Sequence, residues 1–134
     1  MKLHHIAIVV DSIENNLEWF CNIFGGDPLL SIYHDNNQKV KAQFIQTQSH
    51  KIELLEPLND DSPVSGFLKT NGSGSIYHQA FEVENLDEQA IIVKENGGIV
   101  LSRTNEAWNN MEVMFAIYFN GNSRQLVEYV LING

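Results

Sequence analysis

Leu3 to Ile13 reads LHHIAIVVDSI, and Ile76 to Leu86 reads IYHQAFEVENL. Laid over each other at one constant offset, His5 falls on His78, Ala7 on Ala80, Val10 on Val83 and Ile13 on Leu86. The same offset carries Leu17 onto Ala90 and Phe20 onto Val93, and Gly25-Gly26 falls on Gly97-Gly98 one residue out of step. Further on, Glu53 in KIELLEP corresponds to Glu128 in QLVEYVL at a slightly longer offset. Repeated units of this size each need a neighbour to cover their apolar face, so the repeat sets the architecture. Two halves share one plan, with a boundary near Asn71 to Ser75.

Working outward, Leu3 to Val10 is apolar and β-branched on both alternating faces, the pattern of a central strand. Asp11 or Ser12 supplies an N-cap, and Glu14 and Glu18 suit the positive end of a helix dipole. Ile13, Leu17, Phe20 and Phe24 recur at helical spacing as one buried stripe, and Gly25-Gly26 ends the helix. Strands are expected at about Leu29 to Tyr33, Val40 to Gln46 and Lys51 to Leu55. The second half repeats the order: a strand at Ile76 to Val83, a helix from Leu86 to Asn96, then strands at about Ile99 to Ser102, Glu112 to Phe119 and Gln125 to Leu131. Between the halves, Ser62-Pro63 pairs an N-cap with proline at the first helical position and opens a short helix to about Lys69. The expected fold is α+β in a single domain spanning residues 1–134: two pseudo-symmetric βαβββ modules, 1–58 and 75–134, joined by a linker with a short helix at 59–74. Together they would form a curved mixed sheet around a metal-binding cavity.

Composition narrows the class. The 134 residues are 43% hydrophobic and 19% charged, with 9 Gly and 3 Pro, which is ordinary globular material. No apolar run approaches the roughly 20 residues that span a bilayer, and the N-terminus enters a strand directly, so neither a membrane helix nor a signal peptide is expected. The formal net charge of −9 opposes nucleic acid and acidic membrane surfaces. Cys21 is the lone cysteine, which excludes a disulfide framework and a cysteine zinc site and points to a reducing, cytoplasmic setting.

Side chains alternate faces along a strand. His5, Ala7 and Val9 share one face, and Ile6, Ile8 and Val10 share the face better suited to packing on the helix. His5 then points to the concave side of the sheet, and the same parity puts His78, Ala80 and Glu82 there on the equivalent strand. Glu53 and Glu128 are carboxylates in the middle of otherwise apolar strands, where burial is costly unless something pairs with them. Each half therefore offers one histidine from its first strand and one glutamate from its last. Two imidazoles and two carboxylates suit a divalent ion such as Co, Ni, Mn, Fe or Zn. Six-coordination would leave two positions for water or substrate.

LHHIAIVV, followed by KIELLEPLNDDSPVSGFLKTNGSGSIYHQAFEVENLD, resembles the vicinal-oxygen-chelate superfamily of glyoxalases, methylmalonyl-CoA epimerases, extradiol dioxygenases and bleomycin-resistance proteins, over nearly the whole chain. The ELLEPL…DSPV..FL stretch looks most like the epimerase branch. The resemblance implies metal ligands at His5, Glu53, His78 and Glu128, and a homodimer. It also implies a metal-dependent epimerase or isomerase that shifts a proton α to a carbonyl through a metal-stabilised enolate. The substrate would be a small molecule, an acyl-CoA or other thioester, with a 2-substituted malonyl-CoA favoured. Glu53 and Glu128, from opposite halves, are the candidate acid and base. A glutamate proposed as base in some of these epimerases falls near Ala42 or Gln43 here, and neither side chain can serve. The loops before the last strands also depart from the epimerase pattern, reading Asn105-Glu-Ala-Trp-Asn-Asn110 and Tyr118-Phe-Asn-Gly-Asn-Ser-Arg124. The alternatives are a glyoxalase I-type lactoylglutathione lyase, which would use the same donors, and a metal-free small-molecule-binding resistance protein of the same fold.

The remaining polar residues have plainer expectations. His4 should lie on the helix side or at the surface, His34 and His50 should be solvated by turns, and Cys21 should be at least half-buried in its helix. Glu82 should sit at a strand end. Trp108 would cover a substrate or an interface. Lys39, Lys41, Lys51, Arg103 and Arg124 are scattered cations able to meet a phosphate or carboxylate.

Overall fold

The structure, a computed structural model, describes residues 1–105, 107 and 110–132. It divides into two compact units: His5–Tyr77, and His78–Gly134 together with Met1–His4. Each is a mixed four-stranded sheet with a helix on one face, and the first carries a second helix on the other.

In the first unit the order is β1 (Lys2–Val9), α1 (Ile13–Phe24), β2 (Asp27–Asp35), β3 (Val40–Gln46), β4 (Lys51–Pro57) and α2 (Pro63–Asn71). Spatially the strands run β2-β3-β4-β1. β2, β3 and β4 pair antiparallel, and β1 lies parallel to β4. The parallel pair needs a long crossover, which α1 and the β2–β3 hairpin supply. Ile8 and Val10 pack with Ile45, Ile52 and Leu54 against Ile13 and Phe20 of α1, as the branched face of β1 predicts. Ala7 and Val9, on the other face, pack with Val40, Ala42 and Leu55 against Val64 of α2. The expected linker helix thus belongs to the first unit's core.

The second unit repeats the βαβββ order with β5 (Ser75–Val83), α3 (Leu86–Glu95), β6 (Ile99–Thr104), β7 (Val113–Asn120) and β8 (Ser123–Leu131). Its strands run β5-β8-β7-β6, again with the first and last strands parallel. Leu86 and Val93 of α3 bury against Val83, Met114, Ala116 and Tyr129. Burying such side chains fully stabilises by about 1.5–3 kcal/mol each before entropy is counted.

Helix ends follow local chemistry. The Ser12 hydroxyl accepts from the Asn15 N–H, and Asn85 caps α3 in the same way through Glu88. Gly25 (φ 65°) and Gly97 (φ 76°) adopt the left-handed conformation that ends each helix. The second glycine of each pair has another task. A Cβ on Gly26 would lie 2.7 Å from the Gln46 carbonyl oxygen, and one on Gly98 would lie 2.8 Å from the Tyr118 ring. Glycine lets helix and sheet close up there.

One expectation shifts. Phe24, placed at the end of the buried stripe, is 43% exposed, because its ring stacks on the outside of Phe20 at 5.8 Å. His4 takes the helix side of its two expected places: it is buried, at 8% exposure, on the face of β1 that it shares with Ile6 and Ile8.

Candidate functional site

The site-bearing face of each unit is built on the same rungs. β1 and β4 run parallel with His5 opposite Lys51 and Ala7 opposite Glu53. A rung advances about 3.3 Å along the strand, so Glu53 must lean back to reach His5. Ala7 offers only a methyl group on that rung, and the two meet, His5 Nε2 to Glu53 Oε1, at 3.4 Å. The second unit does the same. Ala80 faces Glu128, and His78 Nε2 lies 3.4 Å from Glu128 Oε1. Each imidazole is steadied by a ring edge-on to it: Phe44 against His5 at 5.3 Å, and Phe115 against His78 at 5.1 Å. Phe44 sits opposite Glu53 and Phe115 opposite Glu128.

All four groups are removed from water: His5 and His78 are each 3% exposed, Glu53 and Glu128 each 6%. A 3.4 Å approach is longer than the roughly 2.7–3.2 Å of a good N–H···O bond. It matches two donors that share one ion, since bonds of about 2.0–2.2 Å leave neighbouring ligand atoms about 3 Å or more apart. Neutral imidazole with carboxylate is also the mixed nitrogen–oxygen set that first-row divalent ions accept. On geometry and donor chemistry, the pairs fit a metal.

One site residue has no sequence signal. The Tyr33 hydroxyl donates to Glu53 Oε2 at 2.7 Å, and its ring lies parallel to Phe44 at 6.2 Å. β2 is irregular there: Leu29 faces Phe44 while Tyr33 faces Ala42, with Leu30 at φ 60° between them. Gln43 holds the irregularity, its Nε2 donating to the carbonyls of Leu29, Leu30 and Phe44.

The other singled-out residues fall away from this chemistry. Glu82 pairs loosely with Lys2 at 3.9 Å near the strand end. Lys41 is tied to Glu56 at 3.0 Å, and Arg103 to Asp87 at 2.7 Å and Glu112 at 3.0 Å. Those hydrogen bonds, Asp87's first, raise the Arg103 guanidinium further above its already high value. Cys21 is half-buried, and burial followed by the charge of Asp27 pushes its thiol up, which makes it a poor nucleophile. His34 is exposed on β2 and His50 is half-buried. Trp108 lies outside the described residues.

The family model of the Glyoxalase/Bleomycin resistance protein/Dioxygenase superfamily matches residues 4–115. This chain belongs to that superfamily. A hypothetical protein from Bacillus halodurans shares the fold at a TM-score of 0.83 and 31% identity, covering 99% of this chain and 95% of that one. The methylmalonyl-CoA epimerase of Dictyostelium discoideum, a mitochondrial protein, is 36% identical over 88 residues, 63% of this chain and 51% of that protein. The ethylmalonyl-CoA/methylmalonyl-CoA epimerase of Cereibacter sphaeroides is 35% identical over 100 residues, 75% of this chain and 74% of that protein. The match thus spans about half the length of the Dictyostelium relative. Among the described residues, no helix is long and apolar enough to cross a membrane.

Proposed function

We propose that this chain is a divalent-metal-dependent epimerase of acyl-CoA thioesters, of methylmalonyl-CoA epimerase type, with His5, Glu53, His78 and Glu128 as the metal ligands. The observation that carries the reading is the duplicated, buried imidazole–carboxylate pair, one in each unit, with Nε2 to Oε1 at 3.4 Å in both. Its substrate class rests on the relatives, which are named for malonyl-CoA thioesters. When bound, the ion would act as a Lewis acid on the substrate carbonyl and so acidify the carbon beside it. The chain's own residues do the rest. His5 and His78 hold their places through the rings of Phe44 and Phe115, and the buried sheet faces exclude bulk water. Glu53 and Glu128 are the groups proposed to take the α-proton and return it, since Ala42 and Gln43 offer no base. Gln43 is committed to three backbone carbonyls.

A glyoxalase I-type lyase would draw on the same donors, but the Dictyostelium and Cereibacter relatives are named as epimerases. A metal-free binding protein would have no use for four buried donors. The same proposal makes the protein cytoplasmic, in keeping with its lone cysteine, and a homodimer, which light scattering would test.

The test is proton NMR of methylmalonyl-CoA in deuterated buffer with cobalt-loaded protein, beside elemental analysis. About one ion per chain and enzyme-dependent loss of the α-proton signal are expected. Bound metal with no exchange on methylmalonyl- or ethylmalonyl-CoA would overturn the epimerase reading. No bound metal would overturn the metal site.

A further inference from the structure

We propose that Tyr33 is a positioning residue that makes Glu53 a one-oxygen metal ligand; this rests on the metal reading above. Its hydroxyl donates to Oε2 at 2.7 Å, while Oε1 is the oxygen turned to His5 Nε2. A carboxylate can ligate through one oxygen or through both. With one lone pair of Oε2 engaged by a phenol, Glu53 occupies a single position on the ion, Oε2 keeps its other lone pair for the α-proton, and a second position on the ion stays available to a substrate oxygen. The partners of metal ligands commonly fix ligand orientation in this way.

Three features show that the contact is built into the fold. Tyr33 stands opposite Ala42, whose methyl group leaves room for the ring to reach across toward Glu53. Phe44 connects the groups, parallel to the Tyr33 ring on one side and edge-on to His5 on the other. The irregular stretch of β2 that sets Tyr33 opposite Ala42 contains Leu30 at a positive φ, an unusual conformation for a non-glycine residue. It is held by the buried amide of Gln43.

The feature also distinguishes the two halves. Counting rungs from the glutamates, Phe44 and Phe115 face Glu53 and Glu128, and the next same-face rungs pair Ala42 with Tyr33 and Val113 with Thr104. Thr104 carries its hydroxyl on Cβ, whereas Tyr33 carries one at the far end of a ring. The phenol is particular to the half that holds Glu53.

Tyr33→Phe removes the hydroxyl and keeps the ring. Cobalt affinity measured by calorimetry should fall about 10–100-fold, and the visible absorption of the cobalt protein should weaken as Glu53 closes on the ion with both oxygens. KM should rise more than kcat falls, because a substrate position is lost. The thermal melt of the metal-free variant shows that the fold is retained. Wild type that binds cobalt, with a Tyr33→Phe variant of the same affinity and spectrum, overturns the role of Tyr33 alone. Wild type that takes up no cobalt overturns the metal reading and this inference with it.

Discussion

Gly26→Ala puts a methyl group where the sheet leaves none. Its Cβ would stand 2.7 Å from the Gln46 carbonyl oxygen and 2.7 Å from Ile45 Cγ2. Carbon–oxygen contacts relax only near 3.4 Å, so strand or helix end must yield by about 0.7 Å, and overpacking of this order costs about 1–3 kcal/mol. The Ile45 methyl could turn aside, but the Gln46 carbonyl is backbone. Gln46 also begins the β2–β3 ladder with Asp27, the residue after Gly26, so the displacement falls on a hydrogen-bonded rung worth about 1 kcal/mol. The expected loss is about 2–4 kcal/mol. Gly98→Ala is the comparison: its Cβ would meet Tyr118 Cδ1 at 2.8 Å and Val93 Cγ1 at 2.9 Å. Both are side chains, so the loss should be smaller, about 1–2 kcal/mol. Urea unfolding of the two variants and wild type, followed by far-ultraviolet circular dichroism, measures both. A Gly26→Ala protein within about 0.5 kcal/mol of wild type, or a Gly98→Ala protein that is the weaker of the two, would refute the close-approach reasoning.

Glu56→Ala should destabilise by about 1–2 kcal/mol in the same titration, because Glu56 Oε1 accepts the Ile13 N–H at 2.8 Å and closes the first turn of α1. Burial, and then the hydrogen bond and charge of Tyr118, push the Tyr129 phenol above its ordinary value, with the Gln89 hydrogen bond partly opposing. The folded chain thus holds that proton more tightly than the unfolded one. The stabilisation is complete below about pH 10, the unfolded phenol value, and declines as pH rises beyond it. Urea midpoints at about pH 9 and pH 11 should fall more steeply for wild type than for Tyr129→Phe; parallel slopes would contradict this. His78→Ala should abolish stoichiometric cobalt uptake measured by elemental analysis while leaving the His5–Glu53 pair in place, and full retention of one ion per chain would count against the ligand assignment.

The sequence carried the repeat, and with it nearly every element, because the cues involved are local. Alternation in LHHIAIVV separates the helix face from the site face, serine and asparagine caps mark helix starts, and paired glycines mark their ends. Val40–Gln46 runs as expected from those cues, and the others shift by a few residues at their ends. His5, Glu53, His78 and Glu128 were legible because strand parity survives in β1, β4, β5 and β8. Tyr33 was not, since β2 spends four residues between Leu29 and Tyr33 where β3 spends two, so its partner cannot be counted off from spacing, and nothing local announces a leucine at positive φ. Glu56 was missed for a related reason: its partner, the Ile13 N–H, is brought to it by the β1–β4 pairing, which no local pattern encodes. The allegiance of α2 to the first unit depends on Val64 packing with Ala7 and Leu55, another contact between distant stretches of chain.

The alanines opposite the two glutamates carry a consequence for how this chain tolerates change. A valine or leucine at position 7 would act as a wedge, turning Glu53 from His5, yet Ala80 and the Glu128–His78 pair would be untouched. The reverse holds at position 80. Each pair can therefore be disturbed by itself, and the pair left intact serves as an internal control for its fold.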